Sequence, residues 1–288
     1  MSLTVRPFSA ALGAEIKGVD LSKPLEPDEF DAIEKAYYQY SLLLFRSQRI
    51  SPAQHVEFSR RFGELEIHVL DQWRLDEHPE ILIVSNIKDG DRHVGVYNAG
   101  RYWHTDLSYM QAPSRGSLLY ALEVPHDLER ALGNTYFASS AAAYDALPAD
   151  LQARASQSIG QFSLAFQRQK LIAEGDSGAK LTAEQLAKTP TATHRLVQTH
   201  PVTKRPVLFI NEGHCQSIEG MDEPQSRELI DELCAHATRP EFVYCHEWQV
   251  GDLLMWDNIA TQHLATFDYA LPQRRYMHRT TLCGSNLP

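Results

Sequence analysis

The chain has 288 residues, 43% of them hydrophobic and 22% charged, the balance of a globular protein able to bury a core. Its formal net charge of −10 argues against a nucleic-acid surface, because phosphate binding needs a concentrated basic face; one buried arginine can still bind a small anion inside an acidic protein. No apolar run approaches a membrane span, and Met1-Ser2-Leu3-Thr4-Val5-Arg6-Pro7 lacks the apolar core of a signal peptide, so a soluble, cytoplasmic protein with no membrane partner is expected.

The first predicted element is a helix from Pro27 to Tyr40, where Phe30, Ile33 and Tyr37 recur at helical spacing and Pro27 suits the first turn. It runs into Leu42-Leu43-Leu44-Phe45, a continuous apolar run expected to be a buried strand. Ser51 can cap a second helix over residues 52–62, closed by Gly63. Further on, short strands are expected at 81–84 and 117–122, a helix over 139–147 that stops at Pro148, and a strand at 207–211. A last helix follows Asp222 and runs through Leu229, Ile230 and Leu233 to about Ala237, before strands at 242–248, 253–256 and 276–282. Short strands broken by turn signals, with helices outside them, predict a mainly β fold with flanking helices, a sandwich or jelly roll. No linker divides the chain, so one domain over residues 1–288 is expected, with a polar, weakly patterned stretch near 164–192 read as an insertion or lid. The four cysteines (Cys215, Cys234, Cys245, Cys283) form no C-x-x-C pair and are expected to be free thiols.

The strongest local feature is Trp103-His104-Thr105-Asp106. In an extended strand residues i and i+2 share a face, so an imidazole and a carboxylate two apart can reach one ion. A second histidine from a distant strand would complete a two-histidine, one-carboxylate set with open positions, the arrangement of oxygen-activating Fe(II). The run Trp256 to His263, after the Gly251-Asp252 turn and an apolar strand, would deliver His263 just past a strand end. Arg275 follows in Gln273-Arg274-Arg275-Tyr276-Met277-His278-Arg279; taken alone, Arg274 and Arg275 could both be surface cations on an edge strand. Trp103 and Trp256 read as aromatics framing the site, and alternation aims His278 away from Arg275 and Arg279.

These motifs carry a resemblance. The chain is similar to the taurine dioxygenase and 2,4-dichlorophenoxyacetate dioxygenase family of Fe(II)/2-oxoglutarate enzymes, from Leu12-Gly13-Ala14-Glu15-Ile16 to Thr281. Shared motifs include Phe58-Ser59-Arg60-Arg61-Phe62-Gly63, the WHTD motif, Ala142-Ala143-Tyr144-Asp145-Ala146-Leu147, Asn211-Glu212-Gly213 and the Trp256 to His263 run. The resemblance implies a double-stranded β-helix. It implies an oxidoreductase that uses Fe(II), 2-oxoglutarate and O2, releases succinate and carbon dioxide, and hydroxylates, and in some cases thereby cleaves, a small anionic substrate. Carried over by position, His104, Asp106 and His263 become the iron ligands. Arg275 becomes the partner of the distal carboxylate of 2-oxoglutarate, assisted by Thr135, before which His126 to Ala131 lengthens the usual turn.

For the substrate, Arg279 matches the family arginine for an anionic head group, and His68 matches the histidine that contacts sulfonate in taurine-cleaving members. The taurine pattern breaks elsewhere: Asp71 stands for a tyrosine, Gly100 for an asparagine (with Asn98 close by), and His214 for a phenylalanine. The expectation is therefore an acid, whether an alkylsulfonate, a taurine-like compound or an aryloxy- or alkyl-carboxylate, with homo-oligomerisation left open. Two other readings use the same residues: a zinc-dependent hydrolase, since His and Asp also suit zinc, and a non-catalytic anion-binding module on the same fold.

Overall fold

A computed structural model describes residues 3–176 and 179–284. Its centre is an eight-stranded sheet that runs in space Thr4–Pro7, Ala14–Lys17, Leu42–Phe45, Leu253–Asp257, Gly116–Glu123, Tyr276–Leu282, His78–Ser85, Arg74–Leu75. Every pairing in it is antiparallel except that of Ala14–Lys17 with Leu42–Phe45. Leu42–Phe45 and residues 253–256 are apolar without interruption because both faces are covered, and alternate residues of the middle strands serve different cores. Leu43, Phe45, Leu118, Tyr120, Leu253 and Met255 join Ile33, Tyr37 and Phe58 from the helices Pro27–Tyr40 and Pro52–Arg60. From the opposite face Leu42, Leu44, Leu119, Ala121, Leu254 and Met277 pack with Phe137 and Trp248. Phe137 lies on a three-stranded antiparallel sheet, Val243–His246, Thr135–Ser139 and Thr261–Ala265, so this second sheet sits over the inner face of the first.

A third cluster gathers Leu151, Phe162, Leu196, Phe209, Leu229 and Leu233. It joins the helices Ala149–Gln157 and Glu223–Ala237 to a sheet of Ala192–Arg195, Ile159–Phe162 and Cys215–Ile218. The fold is mainly β with flanking helices, as the pattern of short strands predicts.

Local chemistry places the elements closely. Helix Pro27–Tyr40 and strand Leu42–Phe45 have the expected bounds. Ser51 caps as expected, its side chain accepting from the Gln54 amide at 3.3 Å, but the helix it starts ends at Arg60 rather than 62. The strand expected at 207–211 is Pro206–Leu208, and the one expected at 242–248 is Val243–His246, preceded by a 3-10 turn over Pro240–Phe242. The described residues of the stretch near 164–192 include helices Leu164–Ala173 and Ala183–Lys188, each started by a side-chain cap, Ser163 and Thr182; residues 177–178 lie outside the description. Cys215, Cys234, Cys245 and Cys283 are free, as expected. Among the described residues no helix is long and apolar enough to cross a membrane.

Candidate metal centre

His104 and His263 meet because their backbones are paired. They form an isolated antiparallel bridge in which His104 N–H donates to the His263 carbonyl (3.1 Å) and His263 N–H donates to that of His104 (2.8 Å). Residues directly opposite each other in this way put their side chains side by side, and the two rings lie 4.1 Å apart between centroids. His263 is not past a strand end, as the sequence suggested, but in the middle of strand Thr261–Ala265. The turn Asn258–Ala260 folds that strand back against Thr135–Ser139, where Phe137 opposes and stacks on the His263 ring. Nor does the H-x-D segment run as a strand. The chain turns straight after the His104 bridge, with Leu107 at φ 56°, and that turn brings the Asp106 carboxylate back toward the imidazoles.

The ligand atoms of His104, Asp106 and His263, all three buried, lie within 4.8 Å of one another. His104 Nδ1 is 2.9 Å from the Tyr102 carbonyl, which can only accept, so Nδ1 carries a proton and Nε2, 3.7 Å from Asp106 Oδ1, is the ring atom turned toward the other ligands. Burial, and the neighbouring His104 ring, hold His263 well below the usual histidine range, so it is neutral and able to ligate. Its Nδ1 is buried without a hydrogen-bond partner. Burial pushes the Asp106 carboxyl upward, but the Arg279 guanidinium and the two imidazoles outweigh this and keep it well below the usual carboxylate range. Two imidazoles and one ionised carboxylate are the donor set of a facial Fe(II) site.

Sequence reasoning missed Ser117 and Asn258, and assigned Arg279 to the substrate without its contact to Asp106. Ser117 donates to Asp106 Oδ2 at 2.6 Å, and Arg279 Nη1 donates to Oδ1 at 2.9 Å. Asn258 donates through Nδ2 to both Ser114 and Ser117 at 3.0 Å and accepts from the Trp256 indole at 2.8 Å. Serine and asparagine are common enough that only the fold distinguishes these from any others.

A cavity beside the histidines is lined by Thr135, Trp256, Arg275 and Arg279. The adjacent arginines part company here: Arg274 is exposed and paired with Glu123, whereas Arg275 is 3% exposed with its Nε buried and unpartnered. Trp248 donates its indole N–H to Thr135 Oγ1 at 3.0 Å. Indole is only a donor, so the hydroxyl oxygen is the acceptor and the threonine proton is left for something else. The lengthened turn before Thr135 forms a separate two-stranded hairpin, His126–Asp127 with Arg130–Ala131, and leaves Thr135 in register.

A second cavity, on the other side of His104, is lined by His68, Asn98, Gly100, Asp106, Tyr109, Arg168, His214 and Arg279. The Leu70 amide donates to His68 Nδ1 at 3.1 Å, and burial, with Arg279 and Arg168 nearby, lowers that imidazole to about 3. His68 is thus a neutral ring carrying its proton on Nε2, a donor. Asn98 is committed, donating to Asp176 at 2.6 Å. Asp71 lies outside this cavity, where its carboxylate is 3.6 Å from Arg74. Gly100, at φ 85°, adopts a conformation that favours glycine, and a Cβ there would lie 3.1 Å from that of Ala265. His278 lines neither cavity; it lies 3.4 Å from the Tyr276 hydroxyl.

Residues 4–281 match the family model described as "Taurine catabolism dioxygenase TauD, TfdA family". The alpha-ketoglutarate-dependent 2,4-dichlorophenoxyacetate dioxygenase of Cupriavidus pinatubonensis is 34% identical over 98% of both chains. The (S)-phenoxypropionate/alpha-ketoglutarate-dioxygenase of Delftia acidovorans is 32% identical over 98% of this chain and 96% of its own. The crystal structure of AAD-2 in complex with Mn(II) and N-oxalylglycine superposes with a TM-score of 0.83, at 33% identity, over 100% of this chain and 99% of that one.

Proposed function

The chain belongs to the taurine catabolism dioxygenase TauD, TfdA family, and from that premise we propose that it hydroxylates a small organic acid in a cavity between His68 and Arg279. His104, Asp106 and His263 are assigned as the Fe(II) ligands, Arg275 and Thr135 as the anchors of 2-oxoglutarate, and the eight- and three-stranded sheets as walls of a double-stranded β-helix. When bound, Fe(II) with 2-oxoglutarate and O2 supplies the oxidant, and succinate and carbon dioxide leave. The observation that carries the reading is the cluster of two imidazoles and one ionised carboxylate beside a buried arginine whose Nε has no hydrogen-bond partner among the described residues.

This chain's own groups position and shield. Arg275 meets a carboxylate with parallel N–H donors, and Thr135, its oxygen already occupied by Trp248, directs its proton toward the same group. Arg279 and His68 offer a cation and a neutral donor to the head group of the substrate, while Leu70, Leu82, Val96, Leu107 and Leu164 surround an apolar body. That apolar wall, the small Gly100 and the departures at Asp71 and His214 favour an aryloxy- or alkyl-carboxylate over taurine, as do relatives named for aryloxy acids. The 164–192 segment is the lid, since its first helix forms part of the cavity wall. A zinc hydrolase would leave Arg275 without a role.

The test is succinate release across aryloxyacetates, alkyl carboxylates and alkylsulfonates. With Fe(II) saturating, to offset the loss of the Arg279–Asp106 contact, Arg279→Ala is expected to raise the KM of the acid at least tenfold and that of 2-oxoglutarate less, and Arg275→Ala to do the reverse. The opposite ranking would mean that the two arginines have each other's roles; no succinate from any acid would count against the function.

A further inference from the structure

Helix Leu164–Ala173 touches the substrate cavity with one stripe. Leu164, Gln167 and Arg168, at i, i+3 and i+4, line it together with His68 and Arg279. The end of the helix is held by polar contacts to the segment leading into His104. Lys170 donates to the Glu212 carbonyl at 3.1 Å and sits 4.0 Å above the Tyr102 ring. Tyr102 donates to Glu174, and Tyr97 donates to Asp176 at 2.9 Å. Arg168 is different. Among the described residues it makes no hydrogen bond or ion pair, and its Nε is buried without a partner. The residue is partly buried, and a guanidinium nitrogen taken out of water without an acceptor is costly unless something else satisfies it.

Its surroundings indicate what that is. The neutral His68 imidazole lies close to both guanidinium groups, Arg279 and Arg168. Arg279 is already half committed to Asp106, and no other carboxylate lines the cavity. Asp176, already held by Tyr97 and Asn98, acts on Arg168 from a distance without forming an ion pair with it, so Arg168 is the cation at this end of the pocket that lacks a direct acceptor among the described residues.

We propose that Arg168 is a substrate-anchoring residue, whose guanidinium closes with Arg279 and His68 around the anionic head group. This rests on the acid-hydroxylase reading above and extends it. A carboxylate or an alkyl-bound sulfonate or sulfate satisfies the geometry by accepting from two guanidinium groups and one imidazole N–H, and a neutral isostere does not. Because Arg168 sits on the helix assigned as the lid, an acid also ties that helix to the strand carrying Arg279.

The experiment uses the full chain loaded anaerobically with Fe(II) and 2-oxoglutarate, titrated calorimetrically with phenoxyacetate, phenoxyacetamide, hexanesulfonate and hexyl sulfate. Wild type is expected to bind at least one of the acids, and phenoxyacetate, where it binds, more tightly than its amide. Arg168→Met should weaken each bound acid about 10- to 100-fold and the amide less than about threefold, with Arg168→Lys between. The Tm of each variant reports folding, and the visible band of the Fe(II)/2-oxoglutarate complex reports the metal centre. Arg168→Met that keeps its affinity for acids, or loses acid and amide equally, overturns the proposal, as does wild type with an intact band that binds none of the three acids. Absence of the band in wild type sinks the dioxygenase reading instead, so the two failures are distinguishable.

Discussion

Asp106 owes its charge state and direction to its neighbours. A buried carboxylate is expelled toward neutrality unless it is hydrogen-bonded and faces positive charge, and Ser117 and Arg279 together meet both needs. Ser117 is in turn fixed by Asn258, so a serine on strand Gly116–Glu123 and an asparagine in the turn before His263 act on the centre without touching the metal position. Ser117→Ala removes one of two hydrogen bonds to Asp106 and should weaken Fe(II) binding about 10- to 100-fold, with folding largely retained. Competition with a chromophoric chelator measures this; unchanged affinity would mean that Ser117 is only a packing residue. None of this was legible in the sequence. The H-x-D pair was, because two ligand types at close spacing stand out, but its strand geometry was misread because the turn at Leu107 has no glycine or proline to mark it.

Elements place the site through backbone pairing. The His104–His263 bridge and the Phe137–His263 pairing in the second sheet fix one imidazole from two sides, which no sequence interval encodes. Helix Pro52–Arg60 braces the opposite face of strand Tyr276–Leu282, where His55 is wholly buried, with Nε2 3.3 Å from Thr280 Oγ1 and Nδ1 without a partner. Burial lowers His55 to about 3, and His278 on the same strand to about 4. Both folded values lie below the unfolded value near 6.5, so the unfolded chain binds more protons between those limits. Their contribution is complete above about 6.5 and is lost as pH falls toward 3 to 4, at about 1 kcal/mol per pH unit for each. His55→Phe should therefore flatten the decline of Tm between pH 6.5 and 5; a slope equal to that of wild type would assign acid sensitivity elsewhere. Continuous apolar runs and capping residues made the helices and central strands readable. The strands Thr135–Ser139 and Thr261–Ala265 were not, because they mix polar and apolar residues without a continuous apolar run, and the latter carries His263, which the site uses.

On the scale of the molecule, an acidic chain places cations at the site: of the two cavities that His104 lines, Arg168 lines one, Arg275 the other and Arg279 both. The order of the motifs from residue 12 to 281 made the family legible, and the match over residues 4–281 bears this out. The substrate was not legible, because head-group and body contacts come from loops and one helix whose positions only the fold fixes. The central claim is that His104, Asp106 and His263 hold Fe(II) while 2-oxoglutarate lies against Arg275. It is tested most directly by adding Fe(II) and 2-oxoglutarate to the protein without oxygen and recording the visible spectrum. A metal-to-ligand charge-transfer band should appear in wild type, vanish in His104→Ala and need far more 2-oxoglutarate in Arg275→Ala. A wild-type protein without the band, or a His104→Ala protein with an undiminished one, would contradict the account.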